Sequence, residues 1–584
     1  MFFISVTNSN ISKKFQFYNV NEFEANSMII TVFTDGFLSK IFSEPDGFSV
    51  VEAPFISYGN YEDFTFLKID YDNIRKEIHI VKSILCGREL YYQVDPKGNF
   101  YCSSHISLLK KAGIKIEENT SAISEYFMYS YIAPPKTFYK NIIRLSSENQ
   151  LIIKILNKKC KIKSIKYFDF KKSLNQVQSI DVISKKLSRY LSNYLKKLKL
   201  VSDKCTVLLS GGIDSSILFK IFEKYFPIEI TYSTGYPFEA PSKNIEKKYA
   251  LSASEYFQTK HKYVEFTMKE YLYGLIEGIS IAEEPLQTQA ILFHLLFKKG
   301  IPKNKKIIIC GQGADAIFGV RLLNDLFKKR NSMKYIIVKN KVIIKLVGFM
   351  LTNIKKIGLA ESTYDLFKKF QSIEDVNNRQ IEGGYLWSLG DSRETNWVYD
   401  YFNVSKKDVI KHRLNLIKPY MTDSIYKILT ILDLFDHIQN TQSIISKFGE
   451  KQNKIILFPY TDSELIDYVL SIPWKIKLKR HKNILRNLAR LYDIPEFIIN
   501  RPKSGIEINR KDWAIKDGPF EPLIPMASKI FNEKYIRKMQ STNVHKALTF
   551  WKILNYAIWK RICINDESVD DLLSEIKGIN ENFS

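Results

Sequence analysis

A short apolar run, two glycines and a helical pattern constrain the fold of this chain more than any other feature. Residues 205–209 are mostly apolar, Gly211 and Gly212 follow, and residues 216–226 place apolar side chains at helical spacing. This order predicts a strand, a tight turn and a helix. Glycine lets the backbone approach an anion closely, and the unpaired N–H groups of a first helical turn point at the same place. The stretch therefore predicts a phosphate-binding loop.

Polar side chains within this loop indicate what it binds. Ser215 and Ser216 add hydroxyl donors, which are needed because a helix N-terminus by itself stabilises an anion by only about 0.3–1 kcal/mol. Asp214 is more informative, since a carboxylate beside a phosphate repels it unless a cation lies between them. We interpret Asp214 as a magnesium ligand that bridges to the phosphates. A plain glycine turn with a serine cap is the alternative interpretation.

The loop resembles the pyrophosphate loop of the ATP-pyrophosphatase families, which cleave ATP to AMP and pyrophosphate. It has the pattern S-G-G-x-D-S-S after an apolar strand, whereas the pattern G-x-x-x-x-G-K-S/T of the other common phosphate loop does not occur. The resemblance implies ATP and Mg²⁺ as cofactors. It assigns nucleotide contacts to Leu209, Ser210, Gly211, Gly212, Asp214, Ser215 and Ser216.

A second stretch, residues 307–319, has the same order of features: an apolar strand, a glycine turn and a carboxylate at a predicted helix start. It is similar to the motif S-G-E-G-x-D-E-x-F-G of asparagine synthetases. The resemblance implies that Asp315 gives magnesium a second carboxylate opposite Asp214 and takes part in catalysis. It also implies that Cys310 and Gly311 lie against the nucleotide.

The first 170 residues contain short β-branched runs separated by turn residues, which predicts a β-rich domain. Several stretches are similar to the second half of the glutaminase domain of asparagine synthetases, namely residues 87–92, 100–104, 125–127, 131–138 and 142–145. Glutaminases of this kind use a cysteine exposed by removal of Met1, whose free amine serves as the base. Position 2 is Phe2 here, and no cysteine precedes Cys86. We therefore expect a degenerate domain that does not hydrolyse glutamine; an unrelated β domain is the alternative.

The pattern as a whole predicts an α+β protein of two domains. Residues 1–170 are expected to form a β-rich glutaminase-like domain of the Ntn-hydrolase type, and residues 171–584 a doubly wound α/β ATP-pyrophosphatase domain with extra helices. In the family the strand after the loop lends its backbone to the adenine, which the resemblance assigns to Thr234. Glu283, Glu284 and Pro285 resemble the D-E-P motif before the acceptor pocket, and substrate binding and helix capping both stay open.

The resemblance resumes near the C-terminus. Residues 457–462 look like the family's R-x-P-F-L-D, residues 482–486 also match, and residues 500–505 are similar to its R-x-K-x-G loop. That loop implies that Lys503 reaches the phosphates and the charge that develops on the acyl intermediate, which makes it a catalytic residue.

These parts imply an ATP-dependent ligase that adenylates a carboxylate, releases AMP and pyrophosphate, and forms an amide. Gln312 and Ala316 replace the two glutamates of the family's second motif, and an amide cannot take a proton. Together with Phe2, these changes favour an amine already present in the substrate. The layout most resembles lasso-peptide macrolactam synthetases (cyclases), with β-lactam synthetases beside them. Asparagine synthetase-type amidation with free ammonia and a non-catalytic ATP-binding pseudoenzyme are the alternatives.

Charge and cysteine content limit the expected partners. Lys+Arg 87 against Asp+Glu 62 gives +25, but the lysines are scattered and no nucleic-acid module is recognisable, so we expect no nucleic-acid partner. The charge would suit a tRNA-modifying pyrophosphatase, but the thiolating ones need paired cysteines. Six single cysteines without a C-x-x-C pair indicate a reducing cytoplasm.

The most apolar later run, residues 335–351, is interrupted by lysines and predicts no membrane span. The expected partner is therefore a small-molecule or peptide substrate, and a peptide substrate would add a precursor-processing partner protein.

Overall fold

A computed structural model gives the architecture over most of the chain. It describes residues 1–15, 19–35, 37–53, 66–85, 87–168, 178–199, 205–236, 245–319, 397–417, 430–431, 433–501 and 510–576. Lys503 and the apolar run 335–351 lie outside the described residues, as does the predicted domain boundary at residue 170. Within the described ranges, no helix is both long and apolar enough to cross a bilayer.

The N-terminal half contains two antiparallel sheets of six strands each in its described residues. The strands are β1 Phe2–Thr7, β2 Asn19–Ala25, β3 Met28–Thr34, β4 Ser39–Glu44, β5 Gly47–Glu52, β6 Leu67–Asp72, β7 Glu77–Lys82, β8 Tyr91–Val94, β9 Phe100–Ser103, β10 Ile143–Arg144, β11 Asn149–Leu156 and β12 Lys159–Lys166. One sheet has the order β10-β8-β9-β1-β3-β2 and the other β12-β11-β7-β6-β5-β4. The prediction of a β-rich first domain is confirmed.

Apolar side chains from both sheets meet in one core. Phe2, Ile4 and Val6 of β1 lie in the same buried cluster as Ile78 and Ile80 of β7. Along β7 buried and half-buried residues alternate, as expected for a strand with one face against a core. The two sheets therefore pack face to face.

The C-terminal half is built on short parallel strands. These are β13 Cys205–Val207, β14 Ile230–Thr234, β15 Lys260–Val264, β16 Ile307–Ile309 and β17 Ile455–Leu457. Parallel pairings join β13 to β16, β16 to β17 and β14 to β15, and a parallel bridge between Leu208 and Tyr232 connects β13 to β14. The resulting order is β15-β14-β13-β16-β17, so the direction of strand addition reverses between β13 and β16. In open α/β sheets, ligands bind at the carboxyl ends of the strands beside such a reversal.

Helices occur in both parts of the chain: the first two lie in the N-terminal part, and the others follow it as far as residue 576. They are α1 Ile106–Lys111, α2 Thr120–Tyr129, α3 Ile180–Lys199, α4 Ile213–Phe222, α5 Ile245–Tyr256, α6 Met268–Ala282, α7 Thr288–Leu295, α8 Ala314–Phe318, α9 Trp397–Phe402, α10 Lys406–Ile417, α11 Gln439–Lys451, α12 Ser463–Ser471, α13 Trp474–Lys477, α14 Asn483–Leu491, α15 Glu496–Ile499, α16 Arg510–Trp513, α17 Ile524–Ser528, α18 Glu533–Met539, α19 Val544–Trp559 and α20 Val569–Ile576.

The predicted strand–turn–helix unit is present, but the predicted bounds of its helix are wrong. Helix α4 begins at Ile213, directly after Gly212 in extended conformation, and it ends at Phe222 rather than at residue 226. The apolar pattern continues past the helix because Phe226 stacks on Phe222 from a turn, with ring centroids 4.5 Å apart. The spacing of apolar residues therefore indicated which side chains pack together, including one that lies beyond the last helical residue.

One apolar core joins the two halves of the chain. Phe127 of α2 and Tyr139 lie in the same buried cluster as Leu275 of α6. The ring of Phe127 meets that of Tyr556 at 5.7 Å, and Tyr139 meets Trp559 at 5.6 Å, with both partners on α19. Helix α19, near the C-terminus, is therefore packed against the N-terminal part of the chain.

Candidate active site

Two aspartates converge at the strand reversal. Asp214 lies in the first turn of α4, after β13, and Asp315 lies in the first turn of α8, after β16. The ammonium group of Lys482 forms an ion pair with Asp214 Oδ2 and lies 2.7 Å from Asp315 Oδ1. The structure therefore brings the two predicted carboxylates within reach of a single cation.

Lys482 immediately precedes α14, and its side chain is 5% exposed. Burial lowers the pKa of Lys482, but the adjacent Asp214 and Asp315 carboxylates outweigh it and raise that pKa above its ordinary value. The lysine is therefore charged across the physiological pH range. Sequence analysis matched residues 482–486 to the family but gave Lys482 no role, because the pattern does not show a contact made across 268 residues of chain.

Hydrogen bonds within residues 210–215 hold the loop in shape. The Ser215 hydroxyl accepts from the Ser210 N–H at 3.2 Å and donates to the Gly212 carbonyl at 3.1 Å. Gly211 has φ +68°, and a Cβ there would lie 2.1 Å from the carbonyl oxygen of Tyr249. Only glycine fits this left-handed position beside α5.

The second serine of the loop points inward. Ser216 is fully buried, and within the described residues its hydroxyl has no hydrogen-bond partner. Its predicted role as a donor to the nucleotide stays a prediction, and in this conformation only a movement of the loop would bring its hydroxyl to a ligand.

Two distant side chains fix the loop carbonyls. The Tyr460 hydroxyl donates to the Asp214 carbonyl at 3.0 Å, and Tyr460 is fully buried. Arg501 donates to the Ser210 carbonyl at 2.9 Å, forms an ion pair with Glu246 and lies over the ring of Tyr249 at 4.6 Å. Side chains from the C-terminal part of the chain thus hold the loop in place.

The other predicted nucleotide contacts lie at the same edge of the sheet. Thr234 ends β14, and its hydroxyl donates to the Val264 carbonyl at 2.6 Å. Leu209 is buried and donates its N–H to Tyr232 at 3.0 Å. Cys310 follows β16, and burial raises the pKa of its thiol to about 12, so the thiol is neutral.

Gly311 lies directly beside the first loop. A Cβ added at Gly311 would be 3.7 Å from the Cβ of Asp214 and from the N–H nitrogen of Ser215. The two predicted motifs are therefore in contact, as an active site shared between them requires.

A buried polar helix supports the second motif. On α11, the Gln442 side chain donates to the Gln312 carbonyl at 3.4 Å and to the Thr461 hydroxyl at 2.9 Å. That hydroxyl also lies 3.1 Å from the carbonyl of Leu85 in the N-terminal half. Nothing in the sequence pattern pointed to Gln442, since a polar residue on a helix is usually solvated.

Comparison with known proteins identifies the family. The asparagine synthase model matches residues 196–382 and 457–558, and a glutamine amidotransferase domain model matches residues 63–166. The chain belongs to the asparagine synthetase superfamily. Its two domains are an N-terminal glutaminase-like domain and a C-terminal asparagine synthase-like domain.

Three named relatives of this superfamily show how far the similarity extends. "Asparagine synthetase (glutamine-hydrolyzing) 1" of Bacillus subtilis is 21% identical over 506 residues, which cover 83% of this chain and 76% of the relative. "Putative asparagine synthetase (glutamine-hydrolyzing)" of Mycobacterium tuberculosis is 21% identical over 254 residues, covering 43% of this chain and only 38% of the relative. "Putative asparagine synthetase (glutamine-hydrolyzing) 2" of Methanocaldococcus jannaschii is 25% identical over 249 residues, covering 40% and 46%.

The residues that resemble the superfamily's D-E-P motif lie between the two domains. Glu283 accepts hydrogen bonds from the N–H groups of Ile106 at 2.9 Å and Ser107 at 2.7 Å, in the first turn of α1. Glu284 accepts from the Tyr91 hydroxyl at 3.2 Å and from Asn440 at 2.6 Å. Glu283 thus caps a helix of the other domain, whereas the helix that follows it, α7, has Gln287 at its N-cap without a side-chain hydrogen bond. Substrate binding by these residues stays a prediction.

Position 2 of this asparagine synthetase-like chain contributes to the core. The Phe2 side chain is fully buried, and its N–H donates to the Ser104 hydroxyl at 3.0 Å. Nearby, Arg88 forms a 2.8 Å ion pair with Glu450 of α11. This corner of the glutaminase-like domain is therefore filled by an aromatic ring and an ion pair with the synthase domain.

The residues at the strand reversal fit a magnesium ion. Enzymes of this superfamily use ATP with Mg²⁺, and Mg²⁺ in such sites takes one or two carboxylates together with substrate phosphate oxygens. Asp214 and Asp315 supply two hard oxygen donors at a point already held by a cationic group. In the described part of the chain no cluster of three or more His, Cys, Asp and Glu side chains offers a fuller cage, and none is needed for a nucleotide-bound ion.

Proposed function

We propose that this chain is an AMP-forming amide ligase that closes a ring or joins a peptide with an amine already present in its substrate, as lasso-peptide macrolactam synthetases do. The observation that carries the ligase assignment is the convergence of Asp214 and Asp315 beside the loop at Ser210. Two carboxylates that share one cation, next to a phosphate-binding loop, form a site that can bind a nucleotide together with its metal ion.

The reaction has two steps in this proposal. A substrate carboxylate attacks the α-phosphorus of ATP, the bond to the β-phosphate oxygen breaks, and pyrophosphate leaves. The amine then attacks the acyl carbon, the bond to AMP breaks and the amine loses its proton. Mg²⁺, when bound, would neutralise charge on the phosphates.

The side chains of this chain have positioning roles in those steps. Tyr460 and Arg501 hold the loop carbonyls so that the loop amides keep their direction. Gly211 lets the turn pass close to α5. Preorganised donors of this kind require no rearrangement when charge develops during the reaction. Lys503 remains our proposed contact to the leaving pyrophosphate.

Three substitutions support an internal amine as the nitrogen source. Phe2 is buried in the core where a glutaminase would expose its nucleophile. Gln312 cannot accept a proton from an attacking ammonia, and Ala316 is buried where the family motif has a second carboxylate. We therefore propose a small-molecule or peptide substrate that carries both carboxylate and amine, located in the cytoplasm. If the substrate is a peptide, a precursor-processing partner protein would supply it.

Two other functions each have an observation in their favour. The Bacillus relative, whose match covers 83% of this chain, carries the name asparagine synthetase (glutamine-hydrolyzing). This name favours asparagine synthetase-type amidation, with free ammonia as the donor because Phe2 stands where the glutaminase nucleophile would be. The ammonium of Lys482 already neutralises part of the aspartate pair, and this favours a non-catalytic ATP-binding pseudoenzyme. The intact serine–glycine loop with both aspartates argues against the pseudoenzyme.

Mass spectrometry with isotopically labelled ammonium would test the proposal. The protein is incubated with ATP, Mg²⁺, labelled ammonium and a low-molecular-weight extract of its host, and the Asp214→Asn variant serves as the isosteric control. We expect AMP and a product that has lost one water without gaining label, both absent with the variant. A labelled amide would instead establish ammonia as the donor, and equal AMP formation by the variant would refute the ligase assignment.

A further inference from the structure

We propose that Lys482 is a resident cation of the metal site, which occupies the point between Asp214 and Asp315 until a nucleotide arrives. Divalent metal then binds well only together with the nucleotide phosphates. The inference rests on the proposed function, because it takes the aspartate pair as the site of the nucleotide-bound metal.

The direction of approach is the first support. The side chain of Lys482 is 5% exposed, whereas those of Asp214 and Asp315 are 22% and 39% exposed. The ammonium therefore reaches the pair from a buried position, whereas both aspartate side chains are partly exposed. One oxygen of each aspartate contacts the ammonium of Lys482. When a metal binds, that oxygen either contacts both cations or breaks its contact with the lysine.

The backbone at Lys482 is the second support. Its φ is +53°, a left-handed conformation that residues with a Cβ disfavour. It also stands at the N-terminal end of α14, where the helix dipole disfavours a cation. Strained conformations persist where the surrounding structure over-determines them and cluster at functional sites. The aspartate pair compensates for both costs at Lys482.

The positive charge of Lys482 explains why the metal should bind well only together with the nucleotide. The ammonium of Lys482 offsets part of the negative charge of the two carboxylates, and it repels an incoming dication. The phosphates of ATP supply additional oxygen ligands to the metal and a new partner for the ammonium. Metal and nucleotide binding are then positively linked, and the linkage is the same in both directions.

Manganese binding tests the inference directly. Free Mn²⁺ is measured by electron paramagnetic resonance during titration of the wild type and of Lys482→Met, with and without a non-hydrolysable ATP analogue. Without the analogue, we expect Lys482→Met to bind Mn²⁺ at least about tenfold more tightly than the wild type, because the repelling charge is gone. With the analogue, affinity should rise strongly in the wild type and little in the variant.

Lys447→Met is the matched control, since it also removes a buried lysine paired with a carboxylate, Glu283, away from the aspartate pair. It should leave Mn²⁺ affinity unchanged. Adding Asp315→Asn to Lys482→Met should abolish the gained affinity. If Lys482→Met is too unstable for the titration, its thermal unfolding temperature is measured with and without Mn²⁺. A rise in that temperature with Mn²⁺ alone, in the absence of the analogue, supports the inference.

Two results overturn different parts of this reasoning. Equal Mn²⁺ affinity of wild type and Lys482→Met without the analogue, with normal binding in its presence, refutes the resident cation and leaves the ligase function standing. Absence of Mn²⁺ binding by the wild type even with the analogue refutes both.

Discussion

Replacing Glu283 by glutamine is expected to lower the free energy of unfolding by about 3–5 kcal/mol, because removing one partner of a buried ion pair leaves an uncompensated charge. That charge is on Lys447, whose side chain is 5% exposed and lies 3.2 Å from the Glu283 carboxylate. The N–H groups of Ile106 and Ser107 would also share one amide oxygen instead of two carboxylate oxygens.

Urea unfolding of matched variants measures this effect. Glu533 pairs with Arg537 on the surface, with side chains 52% and 44% exposed, so Glu533→Gln should cost only about 0–1 kcal/mol. Adding Lys447→Met to Glu283→Gln should recover part of the loss, since the unpaired charge disappears. If Glu283→Gln shifts the urea midpoint no more than Glu533→Gln, the cap and ion pair between the domains do not stabilise the fold as argued.

The pH dependence of this difference has a definite sign. Burial raises the pKa of Glu283, but Lys447, His105 and the α1 N–H groups outweigh it and hold that pKa below its ordinary value of 4.5. The stabilisation is therefore present above the unfolded-state pKa and is lost as pH falls through the lower folded-state pKa. The gap in stability between wild type and Glu283→Gln should narrow below about pH 4.5.

Three further predictions address the site and the N-terminal domain. Tyr460→Phe removes the hydroxyl that holds the Asp214 carbonyl, and the loss of one buried hydrogen bond should lower AMP formation about tenfold; unchanged turnover would contradict the anchoring role. His261 lies on β15, with its ring nitrogens 2.8 Å from the hydroxyls of Thr231 and Ser233 on β14. Burial lowers the pKa of His261 to about 4, so its imidazole should show no NMR titration between pH 7 and pH 5, whereas a midpoint near 6.5 would show that it is solvated. Isotopically labelled glutamine should yield no labelled glutamate, and its release would show that the N-terminal domain is still a glutaminase.

Local sequence was sufficient to predict the two turns of the site. Each is a short apolar strand that runs into glycines and then a carboxylate, and both Asp214 and Asp315 lie where that order placed them. The helix after the first turn was predicted to begin at residue 216, three residues after its observed start at Ile213. Apolar spacing does not mark the first turn of a helix whose outward residues are polar. Local patterns thus fix the type of element and the residue at its start more reliably than its length.

Contacts between distant parts of the chain were beyond sequence reasoning. Tyr460 reaches Asp214 across 246 residues and Arg501 reaches Ser210 across 291 residues. Lys482 was noticed as part of a matched stretch, but no local pattern shows that a lysine before a helix will meet two carboxylates. These contacts depend on how the strands are ordered and on helix packing, which a single sequence does not reveal.

The hydrogen bonds at Thr461 have a consequence for how this chain can evolve. Its hydroxyl lies within hydrogen-bond distance of Leu85 in the glutaminase-like domain and of Gln442, which in turn holds the backbone of Gln312 in the synthase domain. Deletion of the glutaminase-like domain would remove the Leu85 carbonyl from the Thr461 hydroxyl. Substitutions near these residues in either domain therefore have to stay compatible with the backbone position that Gln442 holds in the synthase domain.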